Sequence, residues 1–193
     1  MLKTAALFIV TLVVIAMVGG GVFAFHMLSG VFPGTGVQAA PPPPPCPTVA
    51  PTTVGTISVP AGPVAGFCQD RLVNAAYIIN AARALGLDTQ AQEIGVMTAI
   101  GESHLQVLNY GDAAGADSRG LFQQRDNGAW GTLADRMDPT ISATNFFRKL
   151  VTINGWATLS PSVAAHDVQV NADPNYYDAY WSEAQAIVAR LTS

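Results

Sequence analysis

The sequence predicts a mainly α protein, a single folded domain behind an N-terminal transmembrane helix and a proline-rich linker. Three observations lead there. Ala5 to Leu28 runs for twenty-four residues without a charge. Ten of the thirteen prolines fall between Phe32 and Gly66. From Phe67 onward apolar residues recur at helical spacing, and no segment sustains the period-two alternation of a strand. The expected boundaries are 1–31 for the anchor, 32–66 for the linker and 67–193 for the domain.

As a helix rising about 1.5 Å per residue, the first run spans roughly 36 Å, enough for a hydrocarbon core of about 30 Å. It exceeds the roughly 7–15 residues of a signal-peptide core. Lys3 precedes it and no basic residue follows, which favours a cytoplasmic N-terminus. Val37-Gln38-Ala39 is a passable small-residue cleavage signal, so a cleaved, secreted form is the alternative. The segment after it contains Pro41 to Pro45 among Gly, Ala, Thr, Ser and Val. Proline removes donors and favours the extended polyproline form, so this stretch is expected to build no packed core. At about 3.1 Å per residue it holds a domain up to roughly 100 Å from a membrane.

Within the domain, Leu72, Ala75, Ala76, Ile79, Ala82 and Leu85 mark a helix over Gln69 to Leu85, ended by Gly86. Asp88 or Thr89 caps the next, Thr89 to Leu105. Asn109 to Ser118 reads as a small-residue loop, Gly120 to Arg125 as a short helical turn, and Asn127-Gly128 with Gly131 as a turn around Trp130. Asp138-Pro139 opens a third helix. A short fourth covers Ser162 to Gln169, and the last begins at Asp173-Pro174.

Charge narrows the function. All but one of the nine Lys and Arg and all thirteen Asp and Glu lie from Asp70 onward, with no basic run. Nucleic-acid binding depends on clustered Lys and Arg, so no nucleic-acid partner is expected, whereas a neutral glycan is compatible. Cys46 and Cys68, without a nearby His pair, make no metal site. In an exported chain they could bridge, but the sequence does not decide between a disulfide and two thiols. No cofactor is implied.

The second helix carries the chemistry. Between Ile94 and Gly111 only Glu102 is formally charged. Ile94, Met97, Gly101 and Leu105 share one face while Val96, Ala99 and Ile100 cover others, so the helix belongs in a core. A carboxylate at the end of such a helix is expensive to desolvate, and its pKa rises toward the range a general acid requires.

Ala99-Ile100-Gly101-Glu102-Ser103-His104-Leu105, followed after a loop by Asp117-Ser118-Arg119-Gly120-Leu121-Phe122-Gln123-Gln124-Arg125, resembles the lysozyme-like lytic transglycosylases. Trp130-Gly131-Thr132, Asp138-Pro139, Gly155-Trp156 and Ala165-His166-Asp167-Val168-Gln169 extend the likeness, which is nearest the actinobacterial branch found in cell-wall hydrolases and conjugation-associated proteins. It covers roughly Gln69 to Leu191 and nothing of the anchor or linker. The resemblance implies a lysozyme-like fold acting on peptidoglycan strands outside the membrane, with a link to a secretion or conjugation apparatus. It implies that Glu102 protonates the glycosidic oxygen between N-acetylmuramic acid and N-acetylglucosamine, then takes the proton of the sugar 6-hydroxyl as a 1,6-anhydro ring closes. Ser118, Gln123, Gln169 and Tyr177 are implied to contact substrate. Many relatives carry a Tyr before the late Asn or Gln where this chain has Val168, which leaves open whether a phenol such as Tyr177 orients Glu102.

Blander roles stand beside these. Leu121 and Phe122 suit the core, Ser118 suits a cap, and Gln124 and Arg125 suit packing or solvent. Trp130 and Trp156 suit loop anchors. His104 and His166 lack a partner set for catalysis. A second carboxylate, Asp112 or Asp117, about 6.5–9.5 Å across a groove from Glu102, would instead make a water-using lysozyme. A glycan-binding module without turnover is the reading outside the enzyme class.

Overall fold

The computed structural model describes residues 45–113 and 115–193, within a compact unit spanning Pro43–Ser193. The anchor expected over 1–31 lies outside the described residues, as does the start of the linker. Among the described residues no helix is long and apolar enough to cross a membrane.

The described part is mainly helical, as expected. A two-stranded antiparallel hairpin, β1 (Thr52–Val54) and β2 (Ile57–Val59), precedes six helices. These are α1 (Gln69–Ala84), α2 (Thr89–Ser103), α3 (Leu133–Met137), α4 (Pro139–Leu150), α5 (Pro161–Gln169) and α6 (Trp181–Thr192). α2 is the centre, packed against α1, α4, α5 and α6. Its nearly continuous apolar sequence is the reason: every residue from Ile94 to Ile100 is buried. Capping follows the expected chemistry. The Asp88 side chain accepts from Ala91 N at the start of α2, and Asp138 accepts from Thr140 N and Ile141 N ahead of Pro139.

Two expectations are corrected. The linker expected over 32–66 was to build no core, yet Val54, Ile57 and Val59 are buried against α1 and α6. The gain, roughly 1.5–3 kcal/mol for each fully buried aliphatic chain, outweighs the extended preference of the prolines, which sit outside the two strands. Asn80 Nδ2 donates to Val54 O (2.8 Å) and Gln69 Nε2 to Ala50 O (2.8 Å), and a disulfide joins Cys46 to Cys68 at the head of α1. The last helix starts at Trp181 instead of Pro174, because a single 3₁₀ turn, Asp178–Tyr180, intervenes.

Candidate active site

α2 carries Glu102 in its last turn and then stops. His104 and Leu105 both adopt left-handed backbone, φ 52° and 59°, a conformation that costs a non-glycine residue about 1–3 kcal/mol. α1 compensates from below: Arg71 Nη1 donates to His104 O (3.1 Å) and Asn74 Nδ2 to Leu105 O (2.8 Å). Ser103, buried beside Glu102, donates its hydroxyl to Leu121 O (2.8 Å) and accepts from Gln106 N (3.2 Å). One hydroxyl thus ties the helix end to the next loop and to the facing wall.

That wall is a tight reverse turn, not the helical turn expected over Gly120 to Arg125. Arg119 and Gln124 exchange backbone hydrogen bonds at 3.1 and 2.9 Å, and Gly120 N donates to Leu108 O at 2.7 Å. Gly120 has φ 76° and Gln123 φ 45°, so the chain reverses where a helix would need negative φ. A Cβ on Gly120 would run into Arg136 O. The turn buries Leu121 and Phe122, with Phe122 stacked on Phe146 at 4.7 Å, and leaves Gln123 facing Glu102's side.

Around Glu102 opens a cavity of about 460 Å³. Ser118, Gln123 and Gln169 line it, so three of the four expected contact residues share the cavity with Glu102. Tyr177 does not. It is fully buried behind Glu102 and donates its hydroxyl to Glu102 Oε1 in a short contact. Gly101 makes this approach feasible, since a Cβ there would sit 2.8 Å from Tyr177 Cδ1. Tyr177 is therefore a positioning residue, and its expected place in the groove is corrected. Gln169 Nε2 donates to Phe122 O (2.7 Å) and the same amide also acts on Glu102.

Burial raises the Glu102 pKa above the ordinary carboxyl value. The Tyr177 and Gln169 donors pull it part of the way back, and the charge of Asp112 adds to the rise. Burial and the neighbouring carboxylate push the Tyr177 phenol far up, so it stays a donor. Tyr176, which donates to Gly101 O at 2.9 Å, is pushed up to about 12 chiefly by burial. In the cavity wall, Asn171 Oδ1 lies 2.6 Å from His166 Nδ1. The Asn171 amide nitrogen makes no hydrogen bond of ordinary geometry, yet it lies near enough to the Tyr177 phenol to offset part of that phenol's rise.

The two loop aspartates separate. Asp117 accepts from Arg125 Nη2 (2.7 Å) and Nε (2.9 Å) and from Asp126 N (2.8 Å), and the guanidinium holds its carboxyl at about 2. Asp112 lines the cavity with Glu102, one oxygen accepting from Gly115 N at 2.8 Å.

Sequence reasoning missed Tyr110, Asn171 and Tyr176, all in the cavity wall, and Arg136, which donates to Gln124 O of that wall. Arg136 is buried, pairs with Asp126 (3.2 Å) and donates to Asp117 O (3.2 Å). The signal for its helix was present: Thr132 and Asp135 three residues on form a capping box. The groove thus combines amide, hydroxyl and aromatic groups with a buried carboxyl, and Asp112 and Arg125 at its wall, a lining suited to a hydroxyl-rich ligand. Compared with known proteins, the chain matches no family model and no curated relative.

Proposed function

We propose that this chain is a peptidoglycan-cleaving glycosidase of the lysozyme-like lytic transglycosylase type, with Glu102 as general acid and base. The observation that carries the reading is the setting of Glu102: a carboxyl with a raised pKa, gripped from behind by Tyr177, at the floor of a cavity walled by Ser118, Gln123 and Gln169. A carboxyl whose pKa is raised by burial holds its proton to higher pH and can deliver it to a glycosidic oxygen as the carbon–oxygen bond breaks. The same carboxylate then takes the proton of the sugar 6-hydroxyl while that oxygen closes on the anomeric carbon, giving a 1,6-anhydro end. A mere glycan-binding module gains nothing from desolvating one carboxylate. The membrane tether, the extracytoplasmic location and a link to a secretion or conjugation apparatus belong to the same proposal and rest on the sequence alone.

A second reading within the class is hydrolysis by water. Asp112, which lines the cavity with Glu102 and acts on its charge, favours it, whereas Asp117 is committed to Arg125. Mass spectrometry of the products released from purified peptidoglycan separates the two: anhydro ends for the first, reducing ends for the second. Glu102→Gln removes the proton and is expected to lower release about 10²–10⁴-fold. Release at the original rate by that variant refutes both readings.

A further inference from the structure

His166 takes no part in the chemistry proposed above, yet two of its groups hold the end of α5. Its carbonyl oxygen accepts from Val170 N at 2.6 Å, and its Nδ1 lies 2.6 Å from Asn171 Oδ1. Between those two contacts Val170 adopts left-handed backbone, φ 56° and ψ 47°, an outlier for a β-branched residue. Its side chain is 78% exposed, so packing offsets little of that strain. The bend has a consequence for the site. Gln169 and Asn171, the residues on either side of Val170, both line the cavity that holds Glu102. Strain retained at such a point directs attention to function.

The hydrogen-bond directions here follow by elimination. Tyr177 gives its only hydroxyl proton to Glu102 Oε1, so the phenol oxygen can enter a further bond only as an acceptor. The Asn171 amide lies beside that oxygen, and only its nitrogen can donate. That nitrogen is buried and has no other partner of ordinary geometry. The Asn171 oxygen therefore faces His166. An amide oxygen cannot donate, so His166 Nδ1 carries the proton.

We propose that His166 is a positioning residue for the reaction: its Nδ1–H fixes the Asn171 amide with the nitrogen toward the Tyr177 phenol, in a one-way series of donors that ends on the Glu102 carboxyl. This rests on the glycosidase reading above. A phenol that accepts from an amide is in turn a stronger donor. The series therefore holds the carboxyl in one orientation and favours its ionised form. The imidazole makes the contact either as the neutral Nδ1–H tautomer or as imidazolium; the Nε2–H tautomer cannot.

The test uses the full-length protein in detergent. Nitrogen-15 NMR of the imidazoles, with His166 assigned by its loss in His166→Asn, is expected to show a protonated Nδ1 and a bare Nε2 at alkaline pH, where imidazoles are neutral. The opposite tautomer overturns the proposal. The pH midpoint of Glu102, followed by the carbon-13 resonance of its carboxyl, gives a readout independent of turnover. His166→Leu keeps bulk and removes the donor. The midpoint is then expected to rise by about 0.3–0.5 pH unit, and the alkaline limb of the cleavage profile to follow it. Tyr110, Asp112, Arg125, Asp173 and Tyr176 in the walls around Glu102, and Tyr177 behind it, are unchanged in that variant. His166→Asn, whose amide nitrogen takes the place of Nδ1, is expected to keep the parent's midpoint. In a Tyr177→Phe background His166→Leu is expected to add no further shift, because its effect passes through the phenol. A shift that persists there, or no shift in the parent background, overturns the positioning role. A protein with the expected tautomer and midpoints that releases nothing from peptidoglycan overturns the glycosidase reading instead.

Discussion

Glu102 and Tyr177 share the contact on which the chemistry turns. The phenol donates to the carboxyl, which favours the ionised form and so holds the Glu102 pKa below what burial alone would impose. Tyr177→Phe removes that donor. The Glu102 pKa then rises further, and the alkaline limb of the rate–pH profile, where the acid loses its proton, is expected to move to higher pH. The maximal rate is expected to fall roughly tenfold, equivalent to about 1.4 kcal/mol, because nothing fixes the carboxyl's orientation. An alkaline limb that stays in place or moves down contradicts the role given to Tyr177. The same burial has a thermodynamic counterpart. A carboxyl whose folded-state pKa is raised contributes stability that is fully present below its unfolded value and is lost as pH rises through the folded one. Glu102→Gln, whose amide oxygen can still accept from Tyr177, is therefore expected to melt higher than the parent at neutral pH. The gain should vanish as pH drops to about 4, near the unfolded glutamate value. Thermal melts across pH check it, and a variant that is equally or less stable at neutral pH contradicts it.

At the scale of elements, the site is made by helix ends and turns, and this is where sequence reading divides. Glu102 could be found because an uninterrupted apolar run surrounds it, and the helix it ends was bounded to within two residues. The turn over Arg119 to Gln124 could not. Its letters are compatible with a helix, and only the burial of Leu121 and Phe122 together with two positive φ values selects the reversal. The tyrosine pair was equally ambiguous by spacing. Tyr176 faces the groove and Tyr177 the core, a difference set by the chain path between α5 and α6. Asn74 tests how far the helix end depends on its neighbour. Its amide holds Leu105 O in the left-handed exit, so Asn74→Ala leaves an acceptor and a strained residue without support. A loss of about 1 kcal/mol, or about 2–4 °C in melting temperature, is expected, with a proportionally larger fall in cleavage rate because Glu102 is three residues from the released turn. Cleavage that falls no more than stability does would make Asn74 a purely structural residue.

At the scale of the molecule, the question is why a segment so rich in proline joins the domain at all. Three-residue strands such as β1 and β2 are too short to display a period, so Val54, Ile57 and Val59 are hidden among prolines, although Gly55 between two short β-branched segments is a hairpin signal. Three buried side chains are a small anchor for a strap of this length. The covalent link supplies the rest: Cys46 and Cys68 are 22 residues apart, and closing a loop of that size restricts the unfolded chain by about 3 kcal/mol. Replacing both cysteines with serine is therefore expected to lower the melting temperature by roughly 6–12 °C. Glu102, Tyr177 and the facing turn draw no hydrogen bond from Pro45–Phe67, so cleavage measured well below the melting point should stay close to that of the parent. A double variant that melts with the parent would mean that the hairpin's packing alone holds the strap. One that stays folded but loses cleavage would mean that the strap reaches the site through the end of α2.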